Sequence, residues 1–108
     1  MPRVRLDGAT ITNWDSFHDQ CAKVFGFPSF YGHNMNAWID CLSYVRDGDG
    51  MSAFAIGRTG ALEIEVTDTE TFGRQAPEIL DALVECTAMV NQRQVAAGEL
   101  PALHVIFL

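Results

Sequence analysis

The chain has 108 residues, enough for one small domain over residues 1–108 with a single core, and its 48% hydrophobic and 19% charged residues are ordinary globular values. No apolar run approaches the roughly 20 residues that cross a bilayer as a helix, which excludes a helical membrane protein. A formal net charge of −7 repels phosphate backbones and attracts basic surfaces, so the composition speaks against direct nucleic-acid binding. The opening MPRVRLDG lacks the apolar segment of a secretory signal, and three cysteines cannot all pair within one chain. A cytoplasmic protein with reduced thiols is expected.

In chain order, Met1 to Thr12 reads as a first strand, with Val4 and Leu6 alternating with Arg3 and Arg5 and with Asp7-Gly8 as a bend before Ile11; this strand is expected at the centre of the sheet. From Asn13 the period changes. Trp14, Phe17, Cys21 and Val24 or Phe25 recur on one helical face, Thr12 or Asn13 is the cap, and Gly26 is the stop.

The stretch from Phe27 to Tyr44, FPSFYGHNMNAWIDCLSY, holds the densest pattern. Pro28 bars Phe27 from helical geometry, and Tyr31-Gly32 allows a positive φ, so a helix begins only after this turn. Asn34 is its N-cap and Met35 to Ser43 its body. Met35, Trp38 and Leu42 have the spacing of a buried stripe, while Asn36, Asp40 and Ser43 mark another face with Ile39 beside it. Phe30 and His33 lie in the preceding loop. An outer face that mixes one carboxylate with apolar and hydrogen-bonding groups suits a protein partner.

Arg46-Asp47-Gly48-Asp49-Gly50 reads as a loop. Its D-G-D-x-G flavour hints at calcium, but Arg58 stands where the late bidentate glutamate of such a loop belongs, so no metal is expected. Ser52 to Ile56 has the form of a short strand, and the stretch from Val45 to Gly60 leaves room for an additional hairpin. Ala61 to Val66 is a firmer strand, with Leu62, Ile64 and Val66 alternating with Glu63 and Glu65. Thr67, Asp68 and Thr69 offer caps for a short helix over Glu70 to Arg74. Pro77 suits the first turn of a long helix whose inner face runs through Ile79, Leu80, Leu83, Val84, Thr87, Val90 and Gln94, ending at Gly98. Pro101 to Leu108 closes the chain as a buried apolar strand. Strands separated by helices imply crossovers and a parallel sheet, giving an α/β fold with three principal strands and about four helices.

The run Pro28, Tyr31, Gly32, Asn34, Ala37, Asp40, Cys41, Leu42 resembles, without a gap, the P-x-x-Y-G-x-N-x-x-A-x-x-D-C-L signature of the barstar family of intracellular ribonuclease inhibitors. The resemblance extends upstream through Phe17-His18, more loosely to the later strands, and fails between Val45 and Ala61. It implies the same small three-stranded parallel α/β fold. It also implies a partner: a basic ribonuclease of the extracellular type or a ribonuclease-like toxin, bound by a monomer without a cofactor.

By this resemblance Asp40 is the carboxylate placed in the enzyme's active site, where it takes the place of a substrate phosphate. An RNA-cleaving site gathers cations to stabilise its transition state, and a rigid carboxylate can exploit that cluster. Phe30 corresponds to an aromatic near the catalytic base, Gly32 to a point of close backbone approach and Ser43 to a hydroxyl at the rim; Glu85 on the long helix is the best match for a second acidic contact. Asn36 stands for an aspartate, Ile39 for a tryptophan and Tyr44 for a glycine, and Phe30 lacks a phenolic hydroxyl. With one anionic contact missing, weak or no inhibition of barnase is expected, and a different ribonuclease is the expected target.

Other chemistry finds little support in the pattern. Cys21, Cys41 and Cys86 all fall near apolar rows and read as buried thiols. His18 and Cys21 are within reach of one metal but lack a compact second pair of ligands. His33 beside Asp40 has the make-up of an acid–base pair or of a pH-sensitive contact. Neither a phosphate-cradling glycine loop nor a G-x-S-x-G elbow is present, so an enzyme is not expected. The rival from another class is a regulatory binding module with a non-nuclease partner at a Phe30, Ile39 and Tyr44 surface.

Overall fold

The computed structural model describes residues 2–108. Its elements in order are β1 (Arg3–Asp7), a 3-10 turn (Gly8–Thr10), α1 (Trp14–Phe25), α2 (Met35–Ser43), β2 (Leu62–Thr67), α3 (Thr69–Gln75), α4 (Pro77–Ala96) and β3 (Leu103–Phe107). The sheet is parallel throughout, in the order β1-β2-β3, with Val4 opposite Ile64 and Ile64 opposite Val105. This is the expected α/β class.

Alternation explains the layering. Val4 and Leu6 of β1 and Leu62, Ile64 and Val66 of β2 are buried, whereas Arg3 and Arg5 are exposed and Glu63 and Glu65 half-buried. The helices therefore share one face. Parallel sheets are usually covered on both faces and read as continuous apolar runs; here the second face is blanketed by cross-strand pairs, Arg3 to Glu63 at 3.4 Å and Arg5 to Glu65 at 3.0 Å.

Strand position differs from the expectation. The first strand is an edge and β2 is the centre, because both crossovers return to β2 as the common neighbour. β3 is the other edge, so Phe107 and Leu108 are exposed rather than buried. No hairpin forms between Val45 and Gly60, and Ser52 to Ile56 is not a strand. Its amides bond elsewhere: Ala53 N–H donates to Phe25 O at 2.9 Å and Ile56 N–H to Val45 O at 3.2 Å. With Met51, Phe54 and Ile56 packed on the core, the segment is a strap across the ends of α1 and α2.

The helix limits follow local chemistry. Asn13 and Ser16 form a reciprocal capping box at the start of α1, and Gly26 ends it in the left-handed region at φ 66°. A Cβ at Gly26 would come within 2.6 Å of the Ala53 Cβ, so the glycine is required twice over, by its backbone and by the strap. On α4 the buried row is Ile79, Leu83, Cys86, Thr87 and Val90. Val84, expected inside, lies outside this row and is exposed. Asp68 sits at the N-cap of α3 without a side-chain cap bond, so the expected capping is absent there. Asn91 on α4 accepts from Ala102 N–H and Leu103 N–H at 3.0 and 2.9 Å and donates to Leu103 O at 3.0 Å, clamping β3 to the helix.

Candidate functional site

The loop before α2 is built from inside. Tyr31 N–H donates to Pro28 O at 2.9 Å, closing a turn, and the Tyr31 ring packs on Phe27 with 4.5 Å between centroids. The buried Tyr31 hydroxyl lies 2.6 Å from His18 Nδ1 on α1. His18 is only 2% exposed. Burial and the nearby His33 lower its pKa, against smaller opposing effects of Asp15 and Asp19. Burial raises the Tyr31 pKa as well, so both groups are neutral near pH 7. Trp14 stacks on His18 at 5.8 Å, and Trp14, His18, His33, Asn34 and Met35 line a cleft of about 290 Å³.

His33 adopts a left-handed φ of 51° and leads into the cap. Asn34 Oδ1 accepts from Ala37 N–H at 2.8 Å and Asn34 Nδ2 donates to Gly32 O at 3.1 Å, so one amide fixes both the helix start and the loop. Loop and helix are thus held as one rigid surface. Phe30, at its tip, is 74% exposed.

The structure brings Asn36, Asp40, Ser43 and Tyr44 to the outer side of α2, with Asn36, Asp40 and Tyr44 exposed and Ser43 half-buried. Ile39 is not there. It is 3% exposed and belongs to the core. The reason is that α4 packs along α2 and covers the row through Ile39 and Ser43, so α2 is buried on two sides and not one. Gln94 Nε2 on α4 donates to Ser43 O at 3.0 Å across this contact.

A residue without any mark in the sequence pattern stands beside the carboxylate. Arg93 Nη1 on α4 donates to Asp40 Oδ1 at 3.0 Å and to Ser43 Oγ at 3.1 Å. The Ser43 hydroxyl in turn donates to Ile39 O at 2.6 Å. Glu85, expected as the second acid, is exposed on the same helix two turns earlier. His33 does not pair with Asp40 either; its nearest carboxylate is Asp19, at 3.9 Å. Arg93 carries no sequence signal as a site residue, because Asp40 lies 53 residues away and only the packing of α4 on α2 joins them.

Arg46 likewise shows nothing in the sequence but a place in a loop. It is buried, and its guanidinium donates to Gly60 O at 2.8 Å, Leu100 O at 2.7 Å and Gln94 Oε1 at 3.2 Å. This tie joins the end of α2, the strap and the approach to β3 without a carboxylate. All three cysteines are free and buried, as their spacing implies. Among the described residues there is no group of three or more His, Cys, Asp and Glu side chains that could hold a metal ion, and no helix is long and apolar enough to cross a membrane.

The fold and the outward face of α2 define a small α/β domain that presents a rigid loop and helix, supported from below by α1 and from the side by α4. The family model described as Barstar (barnase inhibitor) matches residues 1–106, and the chain belongs to that family. It is also similar to "Putative ribonuclease inhibitor YrdF" of Bacillus subtilis (strain 168), at 35% identity over 43 residues, which are 40% of this chain and 47% of that protein. The matched stretch therefore spans about half of that relative. Inhibition of a ribonuclease is the role at family level.

Proposed function

We propose that this chain inhibits a basic microbial ribonuclease or ribonuclease-like toxin by seating α2 and the loop from Phe27 to Asn34 in the enzyme's active site. Asp40 supplies the carboxylate that takes the place of a substrate phosphate. The observation that carries this reading is the position of Asp40: its side chain is 60% exposed, although Ile39 and Cys41 on either side are buried. Family membership supplies the class of target. Phe30, Gly32, His33, Asn36 and Tyr44 form the surrounding contact surface, and Ser43 supports it from beneath.

The rival surface of Phe30, Ile39 and Tyr44 loses its middle member to the core, which leaves two separate exposed aromatics and weakens the case for a purely apolar partner.

The test is a titration of wild type and Asp40→Ala against a panel of basic microbial ribonucleases, reading RNA cleavage. Loss of a desolvated charge pair costs about 2 to 5 kcal/mol of binding, a range for which barnase with barstar is itself a reference case. Asp40 pairs only at the surface, so the same substitution should change folding stability by no more than about 1 kcal/mol. Inhibition by wild type that Asp40→Ala abolishes supports the reading; no inhibition of any member at micromolar protein overturns it.

A further inference from the structure

The charge at the tip of this surface is not the simple anion that the sequence suggests. The chain carries a net charge of −7, yet the outer side of α2 offers one carboxylate, Asp40, with the neutral Asn36 one turn before it. Arg93 lies against that carboxylate, with 52% of its side chain exposed, so a partner that covers Asp40 also covers the guanidinium. Arg93 is not free to withdraw without loss. Its Nη1 also bonds the Ser43 hydroxyl, whose own proton is committed to Ile39 O, and the neighbouring Gln94 is tied to Ser43 O and Arg46. The face therefore presents a charge pair, with Arg93 held also by Ser43.

A cation at 3.0 Å offsets part of the field of the carboxylate at the distance of a partner's side chains. Against a cleft lined only by cations, Asp40 is attracted while Arg93 is repelled and desolvated, with Asp40 as a counter-charge that it must share with the partner's cations. Discrimination between related partners needs such a repulsive element as well as an attractive one.

Building on the inhibitory role of α2, we infer that Arg93 is a specificity-determining residue: it selects a ribonuclease that opposes Asp40 with a cation and Arg93 with a carboxylate, and it rejects ribonucleases whose catalytic cleft is lined by cations alone. The acid that completes the contact with Arg93 comes from the enzyme.

The experiment uses the full chain as wild type, Arg93→Ala, Arg93→Lys, Asp40→Ala and the Asp40→Ala/Arg93→Ala double variant. Each is titrated in an RNA-cleavage assay against barnase and other basic microbial ribonucleases, sorted by whether a carboxylate lies beside the catalytic pocket. On members without that carboxylate, Arg93→Ala should tighten inhibition at least tenfold, Arg93→Lys should stay near wild type, and the double variant should lose the gain. Thermal melting of each variant checks that the fold is intact. If wild type inhibits and Asp40→Ala does not, but Arg93→Ala is unchanged or weaker on those members, the inference fails while the inhibitory role stands. If no variant inhibits any member, the inhibitory role fails and this inference with it.

Discussion

His18 Nδ1 and the Tyr31 hydroxyl meet at 2.6 Å inside the protein, and this contact ties the middle of α1 to the loop that carries Phe30 and Gly32. Neither side chain reaches water freely, so each is the other's polar partner. Phe27, Trp14 and His33 close around the pair. The loop keeps its shape because a buried hydrogen bond would have to break before it could change. Tyr31→Phe leaves the His18 nitrogen buried without a partner, which should cost about 1 to 3 kcal/mol of stability in a urea titration.

The burial of His18 makes stability depend on pH. Burial, followed by the charge of His33, lowers the His18 pKa from its ordinary 6.5, with Asp15 and Asp19 opposing. The unfolded chain therefore binds this proton more readily than the folded one, so stability rises with pH across that range. The contribution is fully present above the unfolded value of about 6.5 and is lost as the pH falls through 6.5 toward the lower folded value. Melting temperature should drop between pH 7 and pH 5, and less steeply in His18→Gln, which keeps a polar group near Tyr31 but cannot be protonated. Parallel slopes for the two proteins would show that groups other than His18 set the dependence.

Arg46 predicts a second weak point. Among the described residues its guanidinium meets only neutral acceptors, the carbonyls of Gly60, Leu100 and Pro101 and the side chain of Gln94. Arg46→Ala removes the buried guanidinium from carbonyls that are only partly shielded from water and should cost about 1 to 3 kcal/mol, measured by denaturant unfolding. Arg46→Lys keeps the charge but not the forked donors, so it should recover only part of the loss. A change below about 0.5 kcal/mol for Arg46→Ala would mean that water takes over these contacts.

Most of this fold is legible in the sequence because its rules are local. Asn13, Gly26, Asn34 and Pro77 set helix ends by chemistry within a few residues, and the alternation in β1 and β2 distinguishes one sheet face from the other. The motif from Pro28 to Leu42 points to the family. What the sequence hides depends on distant packing. Ile39 reads as exposed when its helix is judged against one neighbour, whereas α4 supplies a second. The stretch from Val45 to Gly60 is long enough to suggest an added hairpin, but Phe25 O and Val45 O take its amides and make it a strap. Arg93 becomes a site residue only through the contact between α2 and α4.

The three thiols should react in an order set by access and by pKa. Burial pushes the Cys21 pKa up to about 12, and burial first, with nearby acids second, raises those of Cys41 and Cys86. Thiolate is the reactive form, so alkylation of the folded protein at pH 8 should be slow throughout. Cys86 is 8% exposed, Cys41 3% and Cys21 0%, so labelling by iodoacetamide should proceed in that order. Cys21, fully buried in the core, should label only when the whole chain unfolds. Mass-spectrometric time courses in rising urea would locate each site: Cys21 should follow the global transition, whereas Cys86 should label before it. Rapid labelling of Cys21 in native buffer would show that α1 opens independently of the core, and that the support beneath the Tyr31 loop is less rigid than its packing indicates.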